Sequence, residues 1–104
     1  MEITFDINSS FLRPDTIGTL RELVGRLPQG VPATVELRAT VSDAGVKVAD
    51  ADAAYRYNRW LAARRLERVR HWLAQHGPAG LAVEPGFLDH DASRRVVVAL
   101  RQRP

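Results

Sequence analysis

The segment running from about Asp50 or Asp52 to His76 repeats apolar residues at helical spacing and stops at Gly77-Pro78. A helix of that length takes about a quarter of the 104 residues, so the rest of the chain must supply the surface that covers it. Leu61, Ala62, Leu66, Val69, Trp72 and Leu73 form its apolar stripe. Asn58 and Arg65 lie on the same stripe, seven residues apart and therefore about 10 Å apart along the axis. An amide and a guanidinium on a stripe that should be buried place one end of the helix against a polar pocket. Trp60 and Trp72 are assigned to packing rather than to base stacking.

The remaining segments alternate in period two or read as a second helix. Ile3, Phe5 and Ile7 face inward from one expected strand, and Asn8-Ser9-Ser10 breaks it. Pro14 and Asp15 suit the first turn of a helix whose Ile17, Leu20, Leu23, Val24 and Leu27 keep helical spacing up to Pro28-Gln29-Gly30. Residues 33–39 alternate again, Ser42-Asp43-Ala44-Gly45 reads as a turn, and residues 46–50 are ambiguous. Leu81-Ala82-Val83 is a short strand, residues 86–93 a loop, and residues 94–101 a closing strand. The order β-α-β-α-β-β predicts an α+β fold: one mixed sheet with two main helices packed on one face, a single domain over residues 1–104.

Composition excludes more than it selects. Fourteen of the fifteen basic residues are arginine, a bias that weakens any reading of the +3 net charge as selection for a partner. Without cysteine the chain has neither thiolate metal ligands nor disulfides. The longest apolar run, Val96 to Leu100, is far too short to span a bilayer, so a membrane tether or export signal is expected on a parent segment.

Arg65 offers a rigid fork suited to a carboxylate. Spacing alone leaves open an ion-paired surface arginine, because the helix also carries Arg56, Arg59, Arg64, Arg68 and Arg70. Asn58 is read either as a cap or as a ligand contact. These arginines are spread around the helix and interrupted by Asp50, Asp52 and Glu67, which argues against a nucleic-acid stripe. Asp89-His90-Asp91 reads as a polar loop, since neighbouring loop residues rarely converge on one metal ion. No nucleophile–base set, phosphate loop or cofactor motif stands out, so no enzyme, metal or cofactor is expected.

Three stretches resemble the OmpA-like domain family. Residues 5–14 are similar to its F-x-F-x-x-x-x-L-x-P opening, with Ile7 at the second aromatic. Tyr57, Asn58, Leu61, Arg65, Val69 and Leu73 match its Y-N-x-x-L-S-x-x-R-A-x-x-V-x-x-x-L helix, with Ala62 and Leu66 at the usual Ser and Ala. Arg94-Arg95-Val96-Val97-Val98 resembles its closing R-R-V-x-I strand. The resemblance implies a non-catalytic anchor in the bacterial envelope or periplasm that binds the diaminopimelate of peptidoglycan stem peptides. It implies that Arg65 takes the ligand's carboxylate, that Asn58, Asn8 and Thr40 supply hydrogen bonds, and that Arg94 or Arg95 lines the rim.

The chain departs from that pattern where the family's second strand ends in G-x-T-D-x-x-G. Thr40 matches, but Val41 holds the acidic position and Gly45 falls one place late. Asp43 compensates only if an insertion re-registers the loop, and the segment around 46–54 looks longer than usual. Losing that carboxylate removes a charge-assisted contact worth about 1.5–3 kcal/mol, or about ten- to a hundredfold in affinity. Two expectations follow: a peptidoglycan anchor, or a degenerate OmpA-like domain that serves as a protein-interaction module in an envelope complex. The first expects a polar cleft where Arg65, Asn58 and either Asp43 or Asp50 converge. The second expects Arg65 tied up by an internal acid, or the inserted segment filling the groove.

Overall fold

The computed structural model describes residues 1–28, 30–42 and 51–101. Its elements are β1 (Glu2–Thr4), α1 (Pro14–Arg26), β2 (Thr34–Val41), α2 (Ala51–His76), β3 (Ala82–Asp89) and β4 (Arg95–Arg101). The four strands form one mixed sheet in the order β1-β4-β2-β3. β4 pairs antiparallel with both β1 and β2, whereas β2 and β3 are parallel. β1, β2 and β3 therefore run the same way, and their C-terminal ends lie beside the N-terminal end of β4. Parallel neighbours need a crossover, and α2 supplies it between β2 and β3. This is the expected α+β arrangement.

Period two decides which sheet face is covered. Val35, Leu37, Ala39 and Val41 of β2, with Val96 and Val98 of β4 and Ile3 of β1, point into the core. There they meet Leu20, Leu23 and Leu27 from the first helical region and Leu66, Val69, Trp72 and Leu73 from α2. The opposite face carries ion pairs: Arg95 with Glu2, and Arg101 with Glu36 and Glu84. The helices accordingly pack on one face, and the other is solvated.

Local chemistry sets the element ends. Pro14 opens α1, where a missing N–H costs nothing, and Asp15 sits in the first turn. α2 ends where the Gly77 N–H donates to the Leu73 carbonyl at 2.7 Å. A Cβ on Gly77 would come within 2.6 Å of that same oxygen, so glycine fits the close approach of helix end and loop.

Three expectations are corrected. β1 stops at Thr4, so although Ile3 and Phe5 are buried, Ile7 is 70% exposed. Trp60 does not pack inward; it is 54% exposed, while Trp72 is buried as expected. The stretch 86–93 is not all loop, because β3 continues through Pro85 and Gly86 to Asp89. β3 is an edge strand, where a residue without an N–H is tolerated. The other edge, β1, is three residues long.

Candidate functional site

The end of the sheet where β1–β3 finish and β4 begins holds a cavity of about 290 Å³. Its lining includes Asn8 from the β1–α1 loop, Thr40 and Ser42 from the end of β2, and Asn58, Leu61 and Arg65 from α2. Asp91 and Arg94 come from the β3–β4 loop. Four hydrogen bonds close this end. The Phe5 N–H donates to the Arg94 carbonyl at 2.8 Å and the Asp91 N–H to the Val41 carbonyl at 3.0 Å. Asn58 Nδ2 donates to the Ser42 carbonyl at 2.9 Å, which ties α2 to the end of β2. Tyr57 donates its hydroxyl to Asn8 Oδ1 at 3.3 Å, which ties the same helix to the first loop.

Arg65 is the best-buried charge among the described residues, at 4% exposure. Its Nε donates to the Ser9 carbonyl at 2.9 Å and its Nη2 to the Asp6 carbonyl at 3.0 Å. The guanidinium carbon lies 5.2 Å from the centre of the Phe5 ring. A buried guanidinium needs its donors satisfied, and the loop supplies carbonyls for one edge of the fork. No carboxylate among the described residues pairs with it. Burial, and then the like charge of Arg94, lower its pKa from the usual value, while Tyr57 acts the other way. An arginine still keeps its proton at neutral pH.

The structure brings together Asn8, Thr40, Asn58 and Arg65 of the residues singled out in the sequence, and separates Arg95. Arg95 meets Glu2, and its Nη2 lies 3.2 Å from Asp91 Oδ2, while its buried Nε has no partner. It does not line the cavity; Arg94 does. Thr40 lines it too, but its hydroxyl donates to the Arg95 carbonyl at 3.1 Å and accepts from the Arg95 N–H at 3.0 Å. That hydroxyl extends the β2–β4 pairing. Asp43 and Asp50 lie outside the described residues, as does most of the inserted segment. Val41 is fully buried, and Leu66 packs into the core without narrowing the cavity.

Sequence reasoning missed Asp91, which lines the cavity. The Ser93 N–H donates to its Oδ1 at 2.9 Å, and contacts from Ser93 and then Arg95 hold its pKa below the usual carboxylate range. A further signal is strain. Asn8, His90 and Arg94 are the non-glycine residues with positive φ among those described, at 55°, 61° and 52°. Two of them line the cavity and the third directly precedes Asp91. Strained backbone persists where surrounding structure holds it in place, and here it gathers at one spot.

The arrangement can hold a small polar ligand bearing an anionic group. Among the described residues no group of three or more His, Asp or Glu side chains is placed to hold a metal ion. No described helix is long and apolar enough to cross a membrane. Compared with known proteins, the chain matches no protein-family model and no curated sequence.

Proposed function

We propose that this chain is a divergent OmpA-like domain that binds the diaminopimelate of peptidoglycan stem peptides, as a non-catalytic anchor in a bacterial envelope. The observation that carries the reading is Arg65: buried, braced by two main-chain carbonyls, without a carboxylate partner among the described residues, and lining a cavity of about 290 Å³. With Nε and one Nη2 hydrogen taken, the end-on edge formed by Nη1 and Nη2 remains for a ligand carboxylate. Asn8 and Asn58 flank that position with amide groups. Asp91 takes the ammonium end, in place of the acid missing at Val41.

A second reading, a protein-interaction module in an envelope complex, is supported by a different surface. Exposed Trp60 lies 5.8 Å from Tyr57 between ring centres, and the Arg64 guanidinium stands 5.1 Å over Trp60. Retention of the wild-type chain on purified sacculi, released by free diaminopimelate, is the deciding measurement. Competition by a small molecule avoids mutating a buried residue. Retention that free diaminopimelate does not reduce, or no retention, favours the second reading.

A further inference from the structure

We infer that Arg94 is a second guanidinium of the anion site, so that one ligand carboxylate is held between Arg65 and Arg94 and not by Arg65 alone. The inference rests on the reading above for the identity of the ligand, but its geometry is independent of it. Both residues line the same cavity, their charges interact, and no carboxylate among the described residues pairs with either. The neighbouring charges do not cancel. Asp91 is the acid in this lining, and it is engaged by Arg95 and by Ser93. Arg95 is the guanidinium that takes the Asp91 carboxylate, and the like charge of Arg94 is felt at Arg65. A second anion in the cavity relieves that repulsion.

The backbone explains why Arg94 and Arg95, adjacent in sequence, do different work. The Arg94 carbonyl accepts from Phe5, and the Arg95 N–H is held by Thr40. Between those two fixed points Arg94 takes a φ of 52°, a left-handed conformation uncommon for arginine. Arg95 then enters the sheet and meets Glu2, while Arg94 stays on the cavity. Two guanidiniums present donors alone, so the site favours a carboxylate over a carboxamide, whose NH₂ would face them unpaired.

Calorimetric titration of free diaminopimelate and, separately, inorganic phosphate into four full-length chains tests this. The chains are wild type, Arg94→Asn, Arg94→Lys and Arg68→Gln. Asparagine tolerates the left-handed backbone, so Arg94→Asn removes the charge without adding strain. Arg68→Gln removes the same charge from an exposed position of α2 outside the cavity. Diaminopimelate should bind Arg94→Asn about tenfold more weakly than wild type, and Arg94→Lys between the two. Arg68→Gln should match wild type. Equal affinity of wild type and Arg94→Asn for diaminopimelate overturns the inference. Phosphate binding that depends on Arg94, in a chain that ignores diaminopimelate, supports the paired site while removing the peptidoglycan reading. Binding of neither ligand by wild type overturns both.

Discussion

Toward its C-terminal end α2 buries Leu66, Val69, Trp72 and Leu73 against the sheet, and apolar contact holds that half down. Toward its N-terminal end the same face presents Asn58 and Arg65, and three main-chain carbonyls, of Ser42, Ser9 and Asp6, take the place of apolar neighbours. The helix is continuous through both regimes. The difference shows how a polar residue is tolerated on a buried stripe: a loop must deliver acceptors to it. The half that is stapled by loops is also the half that leaves a cavity.

If the two halves are held by different forces, substitutions should separate them. Leu73→Ala, in the apolar half, should cost about 2–5 kcal/mol in denaturant unfolding and leave ligand affinity of the folded protein unchanged. Arg65→Met keeps an unbranched stem but strips the Ser9 and Asp6 carbonyls of their donors. A loss of about 1–3 kcal/mol and of ligand binding is expected, and unchanged stability would break the comparison. Asn58→Ala removes one bond to the Ser42 carbonyl and should cost about 0.5–1.5 kcal/mol.

The smallest effect is a pH dependence. Contacts from Ser93 and Arg95 depress the folded pKa of Asp91 below its unfolded value. Its contribution is therefore complete above the unfolded pKa and is lost as pH falls through the folded one. Acid unfolding should show a shallow loss below the usual carboxylate range that Asp91→Asn flattens. An identical acid limb in the variant would remove Asp91 from the support of this loop.

The helices and most strands were legible in the sequence because their signals are local. Helical spacing and Gly77-Pro78 bound α2, and Pro14 with Asp15 marks α1. β3 was half read, because Pro85-Gly86 carries turn chemistry that an edge strand nevertheless accepts. Trp60 escaped because it sits about 100° around the helix from Leu61, enough to turn it from the covered face to solvent. In the site, Asn58 and Arg65 were visible as a conflict between residue type and periodicity. Asp91 was not, because its position depends on a bond to the Val41 carbonyl, fifty residues away in sequence. Nor does sequence distinguish Arg94 from Arg95, since what separates them is one left-handed residue.

The two borders of the sheet, one three residues long and the other carrying Pro85, have a consequence for how this domain behaves when crowded. An open strand invites a neighbouring copy to zip onto its unpaired amides, and fibrils begin that way. Here the short border gives too little to template on, and the long one lacks a donor partway along. Copies of the domain can therefore be held side by side at high density without their sheets joining.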